Sequence, residues 1–178
     1  MAINALRKGS LALSQCMMMK IAGNLHDLGK LAVPVGILEK PATLTAAEFN
    51  VVKAHTYYTY KVLRNFRDME NIREWAAYHH ERLDGKGYPF HLSAAELSPG
   101  ARVMAVADVF TAITEDRPYR AGMSPEDASR VLVEMVGNGA LDGDVVQLLL
   151  DNFAEVNQLR VLAQSASREE YRAFRTVS

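Results

Sequence analysis

The chain has 178 residues, 49% of them apolar and 23% charged, with a formal net charge of −1. That length and balance suit one globular domain with a substantial core, not a disordered or fibrous chain. The single cysteine, Cys16, excludes an internal disulfide, and no run reaches the roughly eighteen apolar residues of a membrane span.

The charge is unevenly spread. Residues 1–89 carry 12 Lys/Arg against 8 Asp/Glu, and residues 90–178 carry 8 against 13. The basic half suits an anionic substrate but falls short of the strongly basic domain that grips DNA or RNA polymers. Arg7-Lys8 before the apolar run Leu11–Met19 imitates a signal peptide, yet Lys20 interrupts it and no small-x-small cleavage site follows. No membrane partner is expected, and the cytoplasm is the expected location.

In chain order, a buried helix is expected over residues 3–28, with Leu11, Met18, Ile21, Ala22 and Leu25 at helical spacing. It leads into His26-Asp27 and ends at Leu28-Gly29, where glycine suits a left-handed cap. Pro34, Gly36 and Pro41 make Lys30–Pro41 a connector. Thr45 and Glu48 form a capping box for a helix from about Ala46 to Phe66, which carries His55 among apolar neighbours. Asp68 is expected to cap the next helix, Met69–Glu81, which ends in His79-His80. Ser93 with Glu96 reads as a cap for a short helical turn, and Pro99-Gly100 resets the chain. Ala101–Ile113 is apolar on all sides, the mark of a buried helix, with Asp108 in its middle. Ser124-Pro125 starts a further helix that Gly137-Asn138-Gly139 stops. Asp142 begins another to about Gln164, and Ser167 with Glu170 caps a short tail helix. No stretch alternates with strand period, so the expectation is an all-α single domain of about seven helices. Its core spans about residues 10–155, and 156–178 form a helical tail.

The ligand-capable residues with apolar neighbours are His26, Asp27, His55, His79, His80 and Asp108. They fall on four separate helices, which is how helical proteins build an interior metal centre. Neutral imidazoles suit iron, manganese or zinc. An ionised carboxylate amid an apolar helix is costly unless it meets a cation.

His26-Asp27-Leu28-Gly29-Lys30 resembles the HD signature of metal-dependent phosphohydrolases. His79-His80-Glu81 with Asp84-Gly85-Lys86-Gly87-Tyr88-Pro89 resembles the signature of the HD-GYP group, and Asp108-Val109-Phe110 and Asp116-Arg117-Pro118-Tyr119-Arg120 match two further blocks. The resemblance covers about residues 10–155. It implies a bacterial phosphodiesterase that hydrolyses cyclic di-GMP to the linear dinucleotide or GMP by metal-activated hydroxide attack on phosphorus. It further implies two or three divalent ions, iron or manganese first, with magnesium, nickel or zinc as alternatives. In the family, partner domains are of the diguanylate cyclase, receiver or sensor kind. By position, Asp27 bridges two metals, His55, His79 and His80 complete one shell, and His26 and Asp108 serve the other. Lys30 lies over the scissile phosphate as a catalytic group beside Asp27. Arg117, Arg120, Gly87 and Tyr88 meet the substrate.

One departure bears on activity. The family supplies a further histidine about thirty residues before the HD pair, often with a nearby glutamate, whereas the 25 residues before His26 contain no His, Asp or Glu. Either the chain is shortened or the His26/Asp108 metal lacks a ligand, for which Cys16 is a remote substitute. The competing expectation is therefore a degenerate module that binds cyclic di-GMP or a partner protein without turnover. A general mononucleotidase is a third reading, disfavoured by the Gly-Tyr-Pro segment. Ala140-Leu141-Asp142 stands where the family often has His-Phe-Asp, a change expected to affect packing more than chemistry.

Overall fold

The computed structural model describes residues 13–116 and 121–177. They form eight α-helices and one 3-10 turn, with no strand among the described residues. The helices are α1 (Leu13–Leu25), α2 (Val35–Leu38), α3 (Ala46–Leu63), α4 (Glu70–Ala77), α5 (Pro99–Thr114), α6 (Pro125–Gly137), α7 (Gly143–Asp151) and α8 (Phe153–Val177). The 3-10 turn, Leu28–Ala32, lies between α1 and α2. The all-α expectation holds.

The start of the expected helix over residues 3–28 lies outside the described residues, and the described part ends at Leu25. Its buried stripe is Cys16, Met19 and Ala22, while Ile21 is largely exposed. The run is apolar almost throughout, so periodicity alone does not choose a face. The choice is made by α4, against which α1 packs. The capping box of α3 forms as the spacing requires: Thr45 Oγ1 accepts from Glu48 N at 3.3 Å, and Glu48 Oε2 accepts from Thr45 N at 2.7 Å. Lys40 adds an ion pair to the same carboxylate at 2.7 Å.

Several boundaries differ from expectation. Asp68 does not cap α4; it sits at φ 59°, and Met69 precedes the helix with no side-chain cap bond. The helix stops at Ala77, so His79 and His80 stand on the turn after it. There the His79 Nδ1 donates to Ala76 O at 2.7 Å, the back-bond that His55 also makes within α3. Ser93 donates both its N–H and its hydroxyl to Glu96 Oε2 without starting a helix, and is itself drawn into a bridge with Asp84. Pro99 opens α5 rather than preceding it, with Ser98 accepting from Ala101 N at 3.3 Å. The chain breaks at Asn152, dividing the expected Asp142–Gln164 helix, and runs unbroken past Ser167, which caps nothing.

Two apolar clusters carry the bundle. The first joins Met19, Leu63, Ile72, Trp75, Ala101 and Met104, and binds α1, α3, α4 and α5 together. The second joins Val106, Phe110, Leu132, Leu141 and Leu149. Ala140-Leu141-Asp142 serves packing here: Ala140 and Leu141 are buried, and Asp142 caps α7 by accepting from Asp144 N and Val145 N. Arg102 ties the halves, donating to Asp142 Oδ2 at 2.8 Å and to Leu97 O at 3.0 Å. Gly100 lies against Trp75, where an added Cβ would come within 2.1 Å of the indole.

Candidate metal centre

Four segments deliver the six expected ligands to one place: the end of α1 (His26, Asp27), α3 (His55), the turn after α4 (His79, His80) and α5 (Asp108). His55 and His79 are 1% exposed, and the others are partly buried. His55 Nε2 lies 3.3 Å from His79 Nε2 and 3.4 Å from Asp27 Oδ1. His26 Nε2 is 3.3 Å from Asp27 Oδ2 and 3.9 Å from Asp108 Oδ1, and His80 Nδ1 is 3.5 Å from Asp108 Oδ2.

Local backbone geometry aims the rings. His26, His55 and His79 each donate Nδ1–H at 2.7 Å to the carbonyl three residues earlier, of Gly23, Val52 and Ala76. A carbonyl only accepts, so each Nδ1 carries the proton and each Nε2 is left as the ligand atom, the arrangement by which proteins orient metal-binding histidines. Burial lowers the pKa of His55, and burial followed by the His80 and His26 rings pushes His79 well down, so both rings are neutral. Two lone pairs 3.3 Å apart then face each other with no proton between them, a contact that a cation turns from repulsion into binding. His80 is lowered to about 4 by burial and then by His55. Burial opposes charge on His26, but the hydrogen bond and charge of Asp27 outweigh it and raise its pKa. Burial likewise opposes ionisation of Asp27, yet bonds from His26 and Lys30 hold its carboxyl well below the usual range.

Among the described residues, two groups of three ligand atoms lie close enough to hold an ion: His55, His79 and His80, and His26, Asp27 and His79. His79 belongs to both, and Asp108 adjoins through His26 and His80. A donor set of imidazole nitrogens and carboxylate oxygens fits a borderline divalent ion. Cys16 is not among these atoms; it is packed with Met19 and Ala22 in the first apolar cluster.

The HD turn is held by residues that carry no chemistry. Gly29 passes so close to α3 that a Cβ there would lie 1.9 Å from His55 O. Thr59, fully buried, accepts from Gly29 N at 2.9 Å and donates to His26 O at 3.0 Å. Sequence reasoning missed Thr59; the signal was its place four residues after His55, a polar residue on the same helix face. In Thr59→Val the shape survives but both bonds go, and the buried Gly29 N–H is orphaned. The expected loss is about 2 kcal/mol, read from the denaturant midpoint, with weaker metal binding.

Lys30 donates to Asp27 Oδ2 at 2.6 Å. Gly87 is buried, and a Cβ there would lie 2.4 Å from the Glu81 Cα, so the glycine serves a close backbone crossing. The Tyr88 ring stands 4.9 Å from that of His80, and burial, then the Asp108 and Asp27 charges, pushes its phenol pKa up. Arg117 and Arg120 lie outside the described residues. On either side of them, Gly122 N donates to Asp116 Oδ1 at 2.8 Å and Met123 N to Ile113 O at 2.9 Å. His91 is exposed.

Comparison with known proteins places this geometry in a family. A family model described as HD domain matches residues 3–145, and the chain belongs to the HD-domain family, with the motif blocks of its HD-GYP group. It is 37% identical over 141 residues to the 3'3'-cGAMP-specific phosphodiesterase 1 of Vibrio cholerae, covering 79% of this chain and 33% of that protein. It is 44% identical over 126 residues to a cyclic di-GMP phosphodiesterase of Pseudomonas aeruginosa, covering 70% of this chain and 30% of that one. A cyclic di-GMP phosphodiesterase of Thermotoga maritima is 38% identical over 120 residues, covering 66% and 33%. The chain thus spans about a third of the length of the relatives it matches. No described helix is long and apolar enough to cross a membrane.

Proposed function

We propose that this chain is a metal-dependent phosphodiesterase acting on cyclic dinucleotides, cyclic di-GMP first, and yielding the linear dinucleotide and/or GMP. The observation that carries the reading is the pair of neutral His55 and His79 lone pairs aimed at one point beside Asp27, in a chain whose relatives are named for this chemistry. His55, His79, His80 and Asp27 would hold one ion, iron or manganese, and His26 and Asp108, with Asp27, would hold a second. Bound there, such ions supply Lewis acidity and a nucleophile at neutral pH. Lys30 exchanges its Asp27 partner for the scissile phosphate, and Tyr88 bounds the nucleotide on the His80 side. Arg117 and Arg120 meet phosphate or guanine with the planar fork that suits them. The cytoplasm is the proposed location.

A binding module without turnover is the second reading, favoured by the two groups of ligand atoms sharing His79 and so not by themselves supplying two separate ion positions. The test is product chromatography after incubation with cyclic di-GMP and, separately, 3'3'-cGAMP, with added Mn²⁺ or Fe²⁺ and then with chelator. Linear product that disappears on chelation is expected. Nucleotide binding with no product under any metal selects the module, and neither binding nor product overturns both readings. Arg120→Ala is expected to weaken cyclic di-GMP binding about tenfold or more, as loss of a charged hydrogen bond does, with metal content unchanged.

A further inference from the structure

Glu81 follows the two ligand histidines directly and is only 2% exposed. Burying a carboxylate is costly unless its oxygens are satisfied. Both are taken by one loop: Oε1 accepts from Phe90 N at 2.6 Å and Oε2 from Leu92 N at 3.1 Å. His91, at φ 58°, turns the chain between those two donors. The return strand of the loop crosses the Glu81 backbone at Gly87, the crossing that only a residue without Cβ permits. On its other side the Phe90 ring is gripped by Tyr60 at 5.0 Å, Tyr78 at 5.7 Å and Tyr57 at 6.2 Å. Phe90 is thereby fixed from two directions. Two residues earlier, Tyr88 donates its N–H to His80 O at 3.2 Å and lays its ring beside the His80 imidazole.

We propose that Glu81 is a positioning residue: its buried carboxylate fixes the 87–92 loop so that Tyr88 stands against His80 at the rim of the metal cluster, and nucleotide affinity depends on it through Tyr88. The second half rests on the cyclic dinucleotide reading, and the first half does not. Glu81 touches none of the six metal-cluster residues by its side chain. Its effect belongs in substrate affinity and not in ion content. A glutamate with a purely structural role would make no such distinction.

The substitution that isolates the effect is Glu81→Gln, which keeps the volume but turns an amide N–H against one of the two loop N–H groups. Metal-free protein with isotope-labelled tyrosine and histidine is compared by NMR. The Tyr88–His80 ring cross-peak is expected in the original protein and lost in the variant, with Phe90 and Leu92 amide exchange faster by about tenfold or more. Bound Mn²⁺ is expected to be unchanged, and the Kd for cyclic di-GMP to rise about tenfold. In a Tyr88→Ala background, Glu81→Gln is expected to cost no further affinity, because coupled residues are not additive. A retained cross-peak with unchanged amide exchange overturns the positioning role. Additive losses in the double variant overturn the route through Tyr88. If the original protein binds no cyclic dinucleotide, the function proposed above fails while the NMR comparison still decides the role of Glu81. Should Glu81→Gln not fold, Glu81→Asp, too short to reach both amides, carries the same comparison.

Discussion

His79→Ala is expected to abolish stable metal binding. His79 Nε2 lies within reach of both groups of ligand atoms, at the centre of the cluster, so its loss removes a ligand from the best-enclosed ion position. Losses even one shell removed from an ion commonly cost about ten- to a hundredfold in affinity, so the loss of a directly coordinating imidazole should exceed about a hundredfold. The consequence for stability follows by linkage. An ion present at a hundred times its Kd stabilises the native state by about 2.7 kcal/mol, and that increment should vanish. Thermal unfolding with and without Mn²⁺ shows it: the original protein gains in melting temperature on adding the ion, and the variant does not. Unchanged ion stoichiometry in His79→Ala would contradict the assignment.

Gly29→Ala is expected to be the most damaging small substitution. Its Cβ would fall 1.9 Å from His55 O, 2.7 Å from Thr59 N and 2.8 Å from His55 C, all backbone atoms of one helix. None of these can rotate away. Relief requires the 3-10 turn to lift from α3, which parts Asp27 from His55 and breaks both Thr59 bonds. The expected cost is about 3 kcal/mol, at the upper end for an overpacked interior, accompanied by loss of bound metal. The control is Gly36→Ala in α2, where a Cβ meets nothing within 4 Å; its effect should stay within about 1 kcal/mol. Denaturant midpoints of the two variants make the comparison. Equal midpoints would mean that the close approach of turn and helix is not a constraint on the fold.

What was legible in the sequence was mostly local or cumulative. The Thr45/Glu48 box and Ser124-Pro125 place the starts of α3 and α6 because the capping partners are only three residues apart. The six candidate ligands stand out because each is a polar residue with apolar neighbours, and the structure brings all six together. What was not legible depends on partners far along the chain or on side-chain choices. The early end of α4 goes against a pattern that otherwise continues, and His80 and Glu81 beyond it bond to residues 88–92 instead. Ser93 has a cap's partner but is claimed by Asp84. The buried stripe of α1 is selected by its contact with α4, and the apolar run itself offers several faces. Thr59 and Glu81 hold the site together through bonds to the backbone of Gly29, His26, Phe90 and Leu92. No motif spacing encodes such bonds, although Glu81 was already in view as part of the His-His-Glu run. The close packing of Gly87 against the Glu81 backbone was likewise not legible.

The central claim is that these six side chains hold the ions at which a cyclic dinucleotide is cleaved. It is tested most directly by titrating Mn²⁺ or Fe²⁺ into metal-stripped protein while measuring bound ion and cyclic di-GMP turnover on the same samples. The result expected is a first ion bound tightly with little turnover, then turnover rising as a second, weaker ion fills the His26/Asp108 side. Full turnover in samples holding only trace metal, or ions bound with no turnover at any occupancy, would contradict it.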